Sequence, residues 1–416
     1  MTTVGIIGLG YVGLPLAVVF AEEGCDVVAV DVDARKIQQL SRGESYIEDI
    51  PSERLRAVLD RITATTRYEE LASADAVLVS VPTPLSANRE PDLAPLVDSM
   101  RRLAGVLRAG QLVVLESTTY PGTTRERVAP LLEESGLKAG GDFHLAFSPE
   151  RVDPGRTDFT MRTTPKVLGG LTEACADRAQ ALYEQVCDRV VRVSSPEAAE
   201  LTKLLENIFR SVNIALVNEL AMLTDRMGID IWEVVEAAAT KPYGFMPFEP
   251  GPGMGGHCLP VDPFYLSWRA REFDMSTEFI ELAGKVNSQM PYHCVAKVQR
   301  ALNDAGRAVK GARIAVIGVS YKPGVGDVRE SPALKIVELL KELGADLAYH
   351  DPHVGTLPEF GLQSVGLEEA LGDADLALIV TAHPGIDYEL IAQRAHITVD
   401  LRGVTRGSSV QSVVRL

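Results

Sequence analysis

From Thr3 onward, short apolar runs alternate with longer stretches whose apolar positions recur every three or four residues. The runs Val4–Gly8, Val27–Asp31, Ala76–Val81, Leu112–Glu116 and Leu145–Phe147 are rich in Val, Ile and Leu without polar alternation. That pattern predicts strands buried on both faces, in a parallel sheet covered by helices. Further strand candidates around Val167 and at Val190–Val193 extend the sheet, and the first domain is expected to end near Pro196.

The texture then turns helical up to about Asp304, most clearly over Glu197–Met227, where one apolar stripe continues without a break. A helix of that length spans roughly 45 Å, more than one small domain needs. It reads as a helix that links two domains and offers a face for dimerisation. A loop rich in Gly and Pro, Lys241–Pro263, interrupts the helices. From Ala312 strand and helix alternation restarts, with strands predicted at Arg313–Val319, Asp346–Asp351, Leu376–Thr381 and Ile397–Leu401. The opening "RIAVIGVSYKPG" echoes "TVGIIGLGYVGL" near the start, and each unit leads to a strand ending in Asp, Asp31 and Asp351. The fold class is therefore α/β: two Rossmann-like parallel-sheet domains joined by a central all-helical domain, with boundaries at 1–196, 197–304 and 305–416.

Composition narrows the partners. The formal net charge is −16 and no Lys/Arg-rich run offsets it locally, so neither nucleic acid nor an anionic membrane surface is an expected partner. The five cysteines are odd in number, scattered, and without the spacing of a zinc site or a disulfide framework; they read as reduced thiols, and no metal is expected. With neither a basic, apolar leader nor a long uninterrupted apolar stretch, the chain reads as cytoplasmic.

Gly8, Gly10 and Gly13 form G-x-G-x-x-G between a predicted strand and helix, with Asp31 at the end of the next strand. Such glycines permit a tight turn and close approach of backbone to a pyrophosphate seated at the helix N-terminus. Asp31 is expected to accept hydrogen bonds from a ribose and to repel a 2′-phosphate, which favours NAD over NADP. The second unit has only Gly318 followed by "VSYKPG" and is not expected to hold another dinucleotide. Its Lys322 is either an exposed loop lysine or a cation for a nucleotide-sugar diphosphate.

The segment Gly251–Phe264, "GPGMGGHCLPVDPF", places Cys258 in an open loop four residues before Asp262. A lone Cys is more often a packing residue, but this glycine density favours an accessible thiol. His257 reads as a positioning or structural residue rather than a general base. Lys203 and Asn207 are four residues apart on the long helix and share a face: an ordinary solvated pair, or two donors for an oxyanion. Thr118 in "STTYPGTT" and Glu150 in "FSPERVDPG" each follow a predicted strand, where parallel sheets place their functional side chains.

Taken together, the Gly8–Gly13 fingerprint, "STTYPGTT", "SPE" ending at Glu150, "ELTKLLENIFRSVNIALVNE", "GGHCLPVD" and "GVSYKPGVGDVRESP" resemble the UDP-glucose/GDP-mannose dehydrogenase family over essentially the whole chain. The resemblance implies four-electron oxidation of the C6 alcohol of a UDP-sugar by a homodimeric or larger enzyme of polysaccharide biosynthesis. It implies Cys258 as nucleophile, Lys203 and Asn207 as oxyanion stabilisers, Asp262 and Thr118 as organisers of a catalytic water, and Glu150 as the group assisting thioester hydrolysis. For NAD it implies Gly8, Gly10, Tyr11, Val12, Gly13, Asp31, Lys36, Thr83, Thr118 and Arg329. For the UDP-sugar it implies Glu150, Arg151, Lys203, Asn207, Arg210, Gly255, Gly256, Tyr321 and Lys322.

Within the family the chain is most similar to the UDP-N-acetylglucosamine 6-dehydrogenase branch, through "SPERVDPGR", "KLLENIFRSVNIALVNE" and "KPYGFMPFEPGPGMGGHC". It departs from the UDP-glucose type at "RVDPG" and at Met254, where that type has an aromatic residue. The implied substrate is UDP-N-acetylglucosamine, with UDP-glucose and UDP-N-acetylmannosamine as alternatives. A β-hydroxyacid dehydrogenase would share the first domain but needs neither Cys258 nor residues 312–416. A catalytically silent nucleotide-sugar sensor has no need of Cys258, Lys203, Asn207 and Asp262 together.

Overall fold

The first apolar runs fold as β1 (Thr3–Ile7), β2 (Asp26–Val30), β4 (Ala76–Val79), β5 (Leu112–Leu115) and β6 (His144–Phe147), with β3 (Ile62–Thr65) joining them at one edge and β7 (Lys166–Gly170) and β8 (Val190–Arg192) at the other. The computed structural model describes residues 2–47, 49–86, 90–152, 158–256 and 259–416. Among these, the chain divides into two compact units, Met1–Glu206 with Phe264–Ser276, and Asn207–Pro263 with Thr277–Leu416.

In the first unit the strand order is β3-β2-β1-β4-β5-β6-β7-β8. Pairing from β3 through β6 is parallel throughout. The two added strand candidates do extend the sheet, but β7 runs antiparallel to β6. Strand alternation divides the apolar side chains between two cores: Val4, Ile6, Ala76 and Leu78 pack into one, and Ile7, Val77 and Val79 into the other. Every residue of β4 and β5 is buried, which is why those runs lack polar alternation. Edge strand β3 is absent from the sequence expectations because it is only four residues long and half exposed.

The second unit repeats the plan. Strands β9 (Arg313–Ile317), β10 (Asp346–His350), β13 (Leu376–Ile379), β14 (Thr398–Asp400) and β15 (Val413–Arg415) form a parallel sheet in the order β10-β9-β13-β14-β15. A short antiparallel pair, β11 (Thr356–Leu357) and β12 (Leu362–Gln363), stands apart. The echo between the two opening segments is structural. Gly8 and Gly318 both have positive φ, 89° and 77°, and both donate to the carbonyl ending the neighbouring strand, Val30 and His350. A Cβ at either would lie 2.4 Å or 2.1 Å from the backbone oxygen of Ser80 or Thr381.

In sequence, the segments that form the two sheets are separated by helices Pro196–Met227, Ile231–Ala239, Asp262–Ala270 and Glu278–Asp304. The first has 32 residues, about 48 Å at the helical rise. The Gly-rich loop ends slightly earlier than its composition suggests. Asp262 and Pro263 begin a helix, an acidic residue and a proline suiting a first turn.

Candidate active site

In the first unit, helix Gly13–Glu22 begins directly after the glycine turn, and its start at Val12 carries no side-chain cap. Gly13 packs so tightly that a Cβ would sit 1.8 Å from the Gly8 carbonyl oxygen, whereas a Cβ at Gly10 would meet nothing within 4 Å. The turn therefore combines a closed base with an open rim and uncapped helical N–H groups, the geometry a diphosphate requires. Tyr11 is 42% exposed on that rim, and Val12 packs partly into the core.

Asp31 is buried just past β2. Its Oδ2 accepts from the Leu9 N–H at 2.8 Å and from Lys36 Nζ at 3.0 Å, and its Oδ1 accepts from the Asp33 N–H at 2.9 Å. One acceptor position on Oδ1 is left for a ribose hydroxyl. These residues fit NAD. A 2′-phosphate beside this carboxylate adds like-charge repulsion, so NADH formation is expected to exceed NADPH formation by about 10–100-fold in kcat/KM. Equal rates with the two cofactors would contradict this assignment. Thr83 Oγ1 donates to the Thr118 carbonyl at 2.8 Å, and the Tyr265 hydroxyl donates to the Thr83 carbonyl, so two of the expected cofactor residues are tied together.

Glu150 follows β6. Its Oε1 accepts the N–H groups of Arg151 at 2.7 Å and Val152 at 2.6 Å, and its Oε2 meets Lys166 Nζ at 3.1 Å. Burial pushes this carboxyl up, but the Lys166 ammonium and those donors outweigh it and hold it below the ordinary carboxylate range. Arg151 is already engaged, donating to the Pro165 carbonyl at 2.6 Å and pairing with Glu206 at 2.6 Å. Lys203 lies on the long helix, half-buried. One turn before it, buried Glu200 accepts from the Gly122 N–H (2.6 Å), the Thr124 N–H (2.9 Å) and Thr124 Oγ1 (2.7 Å). Glu200 thus fixes the loop that follows Thr118, and burial pushes it up to about 7.

In the second unit Asn207 and Asp262 are both buried, and Asn207 Nδ2 donates to Asp262 Oδ2 at 2.5 Å. Arg210 donates to Asn207 Oδ1 at 2.9 Å. The carboxamide is thereby fixed in orientation, with one of its two N–H bonds directed at Asp262. Gly255 and Gly256 pack under Tyr321: added Cβ atoms would lie 2.7 Å and 2.8 Å from its side chain. The Gly256 N–H donates to the Arg329 carbonyl at 3.1 Å, and the Arg329 guanidinium pairs with Asp327 at 2.6 Å. The half-buried Lys322 follows Tyr321 in the same loop. His257, Cys258 and Asp153–Gly155 of "RVDPG" lie outside the described residues.

The Tyr321–Lys322 loop is held by His383 and Asp351, a pair that no sequence motif marks. Gly324 N–H donates to His383 Nδ1 at 3.1 Å, which places the ring proton on Nε2, 3.0 Å from Asp351 Oδ2. Asp351 also accepts from the N–H groups of Val319 (2.7 Å), Ser320 (3.2 Å), His353 (2.8 Å) and Val354 (3.0 Å). Asp31 keeps an acceptor for a ribose, while its counterpart Asp351 is fully committed to holding the loop.

Three domain profiles of one family cover the chain: the NAD binding domain at residues 2–187, the central domain at 197–289 and the UDP binding domain at 315–407. The chain belongs to the UDP-glucose/GDP-mannose dehydrogenase family. As a member it is an NAD-dependent UDP-sugar dehydrogenase, an oxidoreductase with a UDP-binding domain. It is 37% identical to the UDP-N-acetyl-D-mannosamine dehydrogenase of Pyrococcus horikoshii, covering 99% of this chain and 98% of that one. Identity to the UDP-N-acetyl-D-glucosamine 6-dehydrogenase of Pseudomonas aeruginosa is 36%, over 96% of each. The solved structure of the UDP-D-ManNAc dehydrogenase from Pyrococcus horikoshii superposes with a TM-score of 0.91 at 35% identity, covering 100% of this chain and 99% of that one. Among the described residues of this family member, no helix is long and apolar enough to cross a membrane.

Proposed function

We propose that the chain oxidises the C6 hydroxymethyl of a UDP-N-acetylhexosamine to a carboxylate, with Cys258 as covalent catalyst and two NAD reduced per sugar. The observation that carries this reading is the buried Asn207–Asp262 pair, 2.5 Å apart, with Asp262 four residues after Cys258. Bound NAD supplies a hydride acceptor for each of the two oxidations. Lys203 and the second N–H of Asn207 stabilise negative charge on the C6 oxygen. Cys258 adds to the C6 aldehyde and retains it as a thiohemiacetal, whose oxidation leaves a thioester. Thr118 and Asp262 position the water, Glu150 accepts its proton, and the thiolate of Cys258 departs. Arg151, Arg210, Gly255, Gly256, Tyr321 and Lys322 hold the UDP-sugar; Tyr11, Val12, Lys36, Thr83 and Arg329 join the glycine turn and Asp31 around NAD.

UDP-N-acetylglucosamine is the first reading of the sugar, supported by the branch motifs and by the Pseudomonas aeruginosa relative. UDP-N-acetylmannosamine is the second, favoured by the Pyrococcus horikoshii relative. We further propose a cytoplasmic enzyme of three domains, 1–196, 197–304 and 305–416, that forms a homodimer through the long helix. Exposed Leu201, Leu205, Phe209, Leu216 and Leu220 on that helix support the dimer. Offered UDP-glucose, UDP-N-acetylglucosamine, UDP-N-acetylmannosamine and GDP-mannose in parallel, the enzyme is expected to form NADH fastest with a UDP-N-acetylhexosamine, at two NADH per sugar. Activity with GDP-mannose alone, or one NADH per sugar, overturns the reading.

A further inference from the structure

Lys166 is a charged residue at the head of a buried strand, with a side chain only 4% exposed. Its Nζ lies 3.0 Å from Glu116 Oε2 and 3.1 Å from Glu150 Oε2. Glu116, at the end of β5, is fully buried, and the Tyr183 hydroxyl donates to its other oxygen. Lys166 Nζ also sits 5.2 Å over the Tyr183 ring. Among the described residues, the other charged or titratable groups around this cluster are Cys187 beyond helix Glu173–Tyr183, Arg162, and Arg151 with its partner Glu206. Burying an ammonium is costly unless it is paired, and one carboxylate suffices for pairing. Here one ammonium faces two. The inner carboxylate is locked by Tyr183, and the outer one has its Oε1 filled by two backbone donors, so that among the described residues the open acceptor position lies on the oxygen Lys166 touches.

We propose that Lys166, anchored by Glu116 and Tyr183, is a positioning residue for Glu150: it fixes Oε2 and supplies the positive charge that lets a buried Glu150 work as a carboxylate. This rests on the reading of Glu150 as the proton acceptor in thioester hydrolysis. In that step the water oxygen bonds to C6, its proton passes to Glu150 Oε2, and the C6–S bond breaks with its electron pair going to Cys258 Sγ. Lys166 keeps its proton throughout; its two carboxylates raise its affinity for it against the opposing effect of burial. Glu116 is pushed up by burial, with the like charge of Glu150 adding to the rise, and by the same Coulomb repulsion Glu116 opposes the ionisation of Glu150.

The signs of two substitutions are therefore opposite. In Lys166→Met/Glu116→Gln, which removes a charge of each sign, Glu150 loses its ammonium. The acid limb of thioester hydrolysis is expected to rise by about 1–3 pH units. Hydrolysis near neutrality is expected to slow by about tenfold or more. Both NADH form in the first turnover, a Cys258 adduct accumulates in the intact mass spectrum, and raising the pH recovers the rate. In Glu116→Gln alone, Lys166 is left wholly to Glu150, and the same limb is expected to fall by about one unit. A limb that stays in place, or moves the same way in both variants, sinks the proposal. If the double variant does not fold, the direction in Glu116→Gln decides alone. Glu150→Gln serves as the reference: if it hydrolyses the thioester at the wild-type rate, or if no variant forms an adduct, the underlying reading of Glu150 or Cys258 has failed instead.

Discussion

Cys258→Ser is expected to lose two-NADH turnover by on the order of 10⁴-fold or more, because removing a covalent nucleophile removes the whole pathway that depends on it. A serine hydroxyl at this position stays protonated near neutral pH, unlike a thiol that can reach its thiolate, so it captures the C6 aldehyde poorly. It is also a worse leaving group than sulfur, so an ester formed there would not match the thioester in hydrolysis. UDP-sugar and NAD binding are expected to persist, since Cys and Ser differ little in volume. Titration calorimetry for both ligands, beside the NADH count per sugar, separates loss of chemistry from loss of binding. Undiminished two-step oxidation by this variant would falsify the covalent mechanism.

What was legible in the sequence follows the range of each interaction. The long helix is local: its apolar stripe from Glu197 to Met227 gives an element observed as Pro196–Met227. The glycine turn is likewise local, and the Gly8–Gly13 close contact stems from a spacing of five residues. Lys166 and Glu116 lie 50 residues apart and meet across β6, so neither announces its partner. Each resembles a solvated charge at a strand end. His383 and Asp351, 32 residues apart, pair for the same reason only once β13 lies beside β9 and β9 beside β10. Asn207 and Asp262 are each legible in the sequence as candidates, but their direct hydrogen bond spans 55 residues and depends on the fold.

That bond makes Asn207→Leu the second large expected effect. Leucine keeps the volume but removes both N–H groups: the one Asp262 accepts and the one read here as facing the C6 oxyanion. Loss of an oxyanion donor lowers kcat by about 10²–10³-fold, with a smaller change in KM. Removing a donor from a buried carboxylate also costs about 1–3 kcal/mol of stability. Asp262→Asn separates the two contributions. An asparagine there keeps an oxygen that can accept from Asn207, so the carboxamide stays oriented while the negative charge disappears. Its kcat is expected to fall less than that of Asn207→Leu. Thermal unfolding with single-turnover NADH formation measures both effects in one series. If a folded Asn207→Leu enzyme keeps its wild-type first turnover, the amide stabilises only the fold, and oxyanion stabilisation must rest on Lys203 without it.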